Sequence, residues 1–116
     1  MQHRAYVMRL KKEHIRDYVE VHRKETIWAS ILKALSGAKI SRMLILLHGQ
    51  EVILFEEAED LKAAYKAFDD DPDTAKWDKM ITQWMEVYPK FNDIKGDIEF
   101  SELPVVFYYE NGALRH

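Results

Sequence analysis

The chain has no cysteine in its 116 residues. Disulfide frameworks and thiolate chemistry are therefore both excluded. Glycine and proline are scarce, at four and three. No P-loop, GxGxxG or G-x-S-x-G pattern occurs, so the usual phosphate cradles and the nucleophile elbow are missing. The five histidines, at 3, 14, 22, 48 and 116, include no HxxxH pair and no H-E-x-x-H. The expectation is an activity with no cofactor and no metal. No apolar run approaches the roughly 20 residues of a membrane span. The opening stretch "MQHRAYVMRLKKEH" lacks the apolar segment of a secretory leader. A soluble, cytoplasmic protein with no membrane partner is expected. An excess of basic charge is missing too. Seventeen Lys and Arg face twenty Asp and Glu, for a net charge of −3. "RLKK" at 9–12 is the densest basic cluster, and it forms no stripe, so no nucleic-acid partner is expected.

Aromatics are plentiful: three Trp, six Tyr and five Phe. Such side chains fill cores and also make platforms for sugar rings. The length fits one domain, residues 1–116, with a sizeable core. "RAYVMRL" (4–10) reads as a strand. From about Lys12, apolar residues recur at helical spacing through Ile15, Tyr18, Val19 and His22. "IWASILKAL" (27–35) continues with Ile27, Ile31, Leu32 and Leu35, and Gly37 offers a stop. "ISRMLILL" (40–47) and "EVILFEE" (51–57) flank His48-Gly49 as a hairpin. "EDLKAAYKAF" (59–68) is an amphipathic helix. A further helix over 69–88 is capped by Asp71, with Pro72 at its first position and Pro89 at its end. Residues 89–100 read as a polar loop, and "LPVVFYYE" (103–110) as a last strand.

That order is the split βαβ, ferredoxin-like pattern: four antiparallel strands with helices on one face. Strands 40–47 and 103–109 are apolar at both parities. A sheet covered on one side should alternate. The open face therefore expects a cover, and a second copy of the chain is the economical one, giving a twofold homodimer.

Tyr18 and His22 lie four residues apart on one helix face. An imidazole can take and give a proton near neutrality, and a tyrosine can hold a hydroxyl. The same spacing also suits a half-buried histidine bonded to a carbonyl. The "EEAED" run (56–60) needs no more than favourable charge at a helix start. The Trp77, Met80 and Trp84 stripe reads as core as readily as ligand platform.

Taken together, "RAYVMRLK", "DYVEVH", "IW", "KWDKM" and "ELPVVFYYE" resemble the L-rhamnose mutarotase family, in order and over nearly the whole chain. The resemblance implies a ferredoxin-like fold dimerising through its sheets as a dimeric α/β barrel. It implies a cofactor-free isomerase acting on a monosaccharide. His22 is then the acid/base, and Tyr18 and Trp77 contact the sugar. Met43 and Lys76 occupy two further substrate-binding positions, where the family pattern has a tyrosine and a tryptophan. Two extra residues also separate His22 from Ile27-Trp28. These departures leave the preferred 6-deoxyhexose open between L-rhamnose, L-fucose and relatives. The alternative is a dimeric α/β-barrel protein that binds a small ligand without catalysis or oxygenates an aromatic without a cofactor.

Overall fold

The computed structural model describes residues 1–87, 90–92, 97–99 and 102–115, with side chains for 1–86 and 102–115. The chain opens with β1 (Gln2–Leu10), a 3-10 turn (Lys12–His14) and α1 (Ile15–Val21). Then come α2 (Ala29–Gly37), β2 (Ile40–His48) and β3 (Glu51–Ala58). Two helices follow, α3 (Leu61–Asp70) and α4 (Pro72–Gln83). Six short strands close the described chain: β4 (Met85–Val87), β5 (Lys90–Asn92), β6 (Asp97–Glu99), β7 (Glu102–Leu103), β8 (Tyr109–Glu110) and β9 (Ala113–Leu114).

The main sheet runs β2-β3-β1-β4, with β7 also against β1, and the pairings are antiparallel. Helices α2, α3 and α4 contact one another over one face of it. This is the ferredoxin-like order that the sequence pattern predicts. Gly49 carries the β2–β3 hairpin at φ +61°, a conformation glycine adopts without strain. Asp71 caps α4 as expected. Its carboxylate accepts from the Asp73 amide at 2.9 Å, and Pro72 sits in the first turn.

Alternation decides what the sheet buries. Tyr6, Met8 and Leu10 of β1 and Val52, Leu54, Glu56 and Ala58 of β3 turn toward the helices and are buried. On β2, Met43 is paired with Glu56 and Ile45 with Leu54, so these two share that inner face. Leu44 and Leu46 point to the open face, where they are 49% and 55% exposed.

The structure departs from expectation at four places. The first helix does not run on into the second. It stops at Val21, and residues 22–28 form a turn held by the Thr26 hydroxyl on the Glu20 carbonyl. Leu32 consequently faces solvent, and Ala34 takes the buried position. Helix α4 ends at Gln83, before Tyr88 and Pro89, which lie outside the described residues. Met85–Val87 pairs with Arg9 and Leu10 of β1 instead. Within 89–100, Lys90–Asn92 pairs with Asp97–Glu99 as strands rather than loop. The last strand shrinks to Glu102–Leu103, because Pro104 has no N–H to continue the ladder. Tyr109–Glu110 pairs locally with Ala113–Leu114 around Asn111-Gly112, both at positive φ.

Candidate active site

A cavity of about 330 Å³ lies between the sheet and the helices. Its size falls in the range of small-ligand sites. Every layer contributes to its wall: Tyr6 from β1, Met43 from β2, Glu56 from β3, Tyr18 from α1, Ile31 from α2 and Trp77 from α4. His22 reaches it from the end of α1.

His22 occupies the helix C-cap, where the backbone leaves the helical conformation. Its Nδ1 lies 2.6 Å from the Tyr18 carbonyl oxygen. A carbonyl only accepts, so Nδ1 carries the proton and donates. That bond fixes the tautomer and leaves Nε2 as the nitrogen with a free lone pair. Aromatic faces hold the ring in place. Tyr18 lies against it at 4.3 Å between centroids, and Trp77 meets it edge-on at 5.2 Å. Trp28 backs Trp77, also edge-on at 5.2 Å. Burial lowers the His22 pKa from its ordinary 6.5, and the bond to Tyr18 offsets part of this. The imidazole is therefore mostly neutral at pH 7, which suits a base that must also return its proton. Burial pushes the Tyr18 phenol up to about 12, so it stays a hydroxyl.

The two sequence readings of His22 turn out not to compete. It is a half-buried histidine bonded to a carbonyl, and that same bond leaves its second nitrogen with the lone pair that a base needs. Tyr18 and Trp77 are brought to it, buried in the core and lining the cavity. Met43 lines the cavity too, half-buried on β2. Lys76 is exposed on α4 and does not line the cavity. Among the described residues no three His, Cys, Asp or Glu side chains gather as a metal site requires. No described helix is long and apolar enough to cross a membrane.

Several polar groups of the wall were not singled out in the sequence. Glu56 is 3% exposed, a carboxylate inside the core, and not merely part of an acidic run before a helix. That charge role belongs to Asp60, whose carboxylate caps α3 by accepting from the Ala63 amide at 3.1 Å. Tyr65 of α3 donates its hydroxyl to Glu56 Oε1 at 2.7 Å. Asp69 and Asp78 also reach the cavity, from exposed positions on α3 and α4. Partial burial of its carboxyl and then the charge of Asp69 push Asp78 up to about 6. The signal for Glu56 was its parity. It stands in step with Val52, Leu54 and Ala58, all inward.

The L-rhamnose mutarotase family model matches residues 3–109. The chain belongs to the L-rhamnose mutarotase family. It is accordingly an isomerase of the mutarotase class, acting on a sugar. Among solved structures, an L-rhamnose mutarotase from Formosa agariphila superposes with a TM-score of 0.68 at 20% identity, covering 95% of this chain and 100% of that one. Tetracenomycin F2 cyclase from Streptomyces glaucescens, a type-II polyketide cyclase, gives a TM-score of 0.62 at 12% identity, over 95% and 98% of the two chains. At such identities these two likenesses establish the fold, which is of the dimeric α/β-barrel type. No curated protein matches the chain in sequence.

Proposed function

We propose that His22 opens and recloses the ring of a 6-deoxyhexose pyranose bound in this cavity. The carrying observation is the committed Nδ1. With that nitrogen tied to the Tyr18 carbonyl, Nε2 is the proton-exchanging atom in an aromatic-walled cavity. Nε2 takes the proton of the anomeric hydroxyl and delivers it to the ring oxygen. The bond from C1 to the ring oxygen breaks, and the carbonyl of the open chain forms at C1. Rotation about C1–C2 and the reverse transfers give the other anomer, with no net change in protons. A positioned acid/base of this kind supplies about 10²–10⁴-fold over water. Tyr18 holds a sugar hydroxyl, and Trp77 stacks on an apolar ring face.

We further propose that the substrates are L-rhamnose and also L-fucose or a related 6-deoxyhexose. Met43 puts a flexible apolar chain where the family pattern has a tyrosine hydroxyl. Lys76 is exposed and supplies no indole to the cavity. A wall with fewer fixed partners discriminates less between epimers. Comparing anomer-exchange rates for rhamnose, fucose, galactose and mannose tests this.

The same reading includes a homodimer, working in the cytoplasm as a one-domain protein. Its support is the open sheet face. Leu44 and Leu46 project there beside Val7, Ile53 and Phe55, and Leu103 of β7 extends the patch. Val106 and Phe107 add further apolar surface at 86% and 70% exposure. Contiguous apolar surface of this kind marks an interaction face. Sedimentation at micromolar concentration is expected to give twice the chain mass, and a monomer there would contradict the dimer.

A further inference from the structure

Glu56 is a carboxylate on the inner face of a central strand, where its same-face neighbours Leu54 and Ala58 are buried and apolar. Placing a charge there is costly unless it has hydrogen-bond partners. Two groups meet it. Tyr65 donates to Oε1 at 2.7 Å, and Arg4 is its ladder partner on β1. Arg4 in turn lies over the Tyr65 ring at 5.6 Å and pairs with Glu102 at 3.2 Å, so its charge is shared. Burial raises the Glu56 pKa, while the Tyr65 bond and the Arg4 charge hold it down. An ionised carboxylate offers about four acceptor sites, and Tyr65 occupies one. On the other flank stands Met43, whose thioether is at best a weak acceptor. Both Glu56 and Tyr65 line the cavity that His22 enters.

We propose that Glu56, oriented by Tyr65, is the residue of this cavity that reads the sugar's hydroxyls, accepting hydrogen bonds from two adjacent ring hydroxyls. The inference rests on the cavity being the sugar site. Pyranose hydroxyls are donors, and a carboxylate is an acceptor whose two oxygens match a vicinal pair. The rest of the wall is mostly apolar or aromatic, and the other two carboxylates that reach it, Asp69 and Asp78, stand at exposed positions on the helices, so Glu56 is the buried anchor that sets which hydroxyls are recognised. Tyr65 is a positioning residue in this arrangement. Its own pKa is pushed far up by burial and then by Glu56, so it remains a donor.

The test compares L-rhamnose with its 2-, 3- and 4-monodeoxy analogues, following anomer exchange by polarimetry. With the wild-type chain, KM is expected to rise about 10- to 100-fold for two neighbouring analogues, because a buried charged acceptor loses its donor. Glu56→Gln keeps the shape and can still accept from Tyr65. It is expected to raise KM for rhamnose by about 10- to 100-fold, more than it lowers kcat, and to lose the discrimination between analogues. Tyr65→Phe is expected to move KM in the same direction by less. Equal KM for all analogues in the wild-type chain overturns the proposal, and needs no folded variant. So does a Glu56→Gln chain that only melts earlier while discriminating as before, since a purely structural carboxylate would do that. Absence of exchange with every sugar in the wild-type chain overturns the mutarotase reading itself, a result distinct from both.

Discussion

Replacing His22 by alanine is expected to slow anomer exchange by about 10²–10⁴-fold while leaving a folded chain. The loss follows from what Tyr18 and His22 can each do with a proton. Asp78, pushed up to about 6, reaches the cavity from an exposed position on α4 and is not in contact with the His22 ring as Tyr18 and Trp77 are. Tyr18 stays a hydroxyl up to about pH 12 and cannot act as a base near neutrality. His22 is mostly neutral there and has one uncommitted nitrogen. The fold survives because the ring closes no layer of the core. It caps a short helix, and the His22 backbone bond to the Val19 carbonyl remains. The lost side-chain bond to the Tyr18 carbonyl costs about 0.5–1.5 kcal/mol net. Circular dichroism checks folding, and polarimetry checks the rate. A folded variant with the wild-type rate would remove His22 from the mechanism. The wild-type rate has a matching pH dependence. Protonation of Nε2 abolishes its lone pair, so the rate falls as pH drops through the His22 pKa. Burial places that midpoint below 6.5.

Trp77→Ala is expected to cost about 3–5 kcal/mol of stability, the range for removing a large buried aromatic. Trp77 is 7% exposed and belongs to the main core cluster. It is also the hub of the aromatic contacts, edge-on to both His22 and Trp28. Its removal takes one packing partner from each ring, leaving His22 only Tyr18, and widens the cavity. Exchange should therefore fall with stability, and KM should rise in the molecules that remain folded. Urea denaturation measures the first effect, and substrate dependence under native conditions measures the second. A loss below about 1 kcal/mol would show that Trp77 is a surface platform and not part of the core. Trp77→Phe, which keeps an aromatic plug, is expected to lose distinctly less.

The Trp77 case shows why the sequence left some roles open. A tryptophan on a helical stripe is core or platform by spacing alone, and here one side chain serves both. The i, i+4 spacing of Tyr18 and His22 likewise predicted their contact but not the carbonyl bond that fixes the tautomer. Element order was legible wherever local signals and tertiary pairing agreed, as at Asp71-Pro72 and Gly49. It failed where they did not. "LPVVFYYE" has strong β propensity, but propensity needs a partner edge. Beside β1, that edge is used at Arg9 and Leu10 by β4 and ends for β7 at Pro104. Met85 fits a helical stripe as well as a strand, so period alone could not place the end of α4. The turn at Asn111-Gly112, both at positive φ, was not singled out in the sequence. Glu56 was hidden by its neighbours. Beside Glu57 and Glu59 it looks like solvated charge, and only strand parity turns it inward.

The central claim is that this cavity exchanges sugar anomers through His22, and saturation-transfer NMR on L-rhamnose tests it most directly. Saturating the α-anomer proton in the presence of the purified wild-type chain should attenuate the β-anomer signal. The attenuation should grow with protein concentration, and the same concentration of His22→Ala should leave it near the level of buffer alone. A β signal unaffected by the wild-type chain, or equally attenuated by both proteins, would contradict the account.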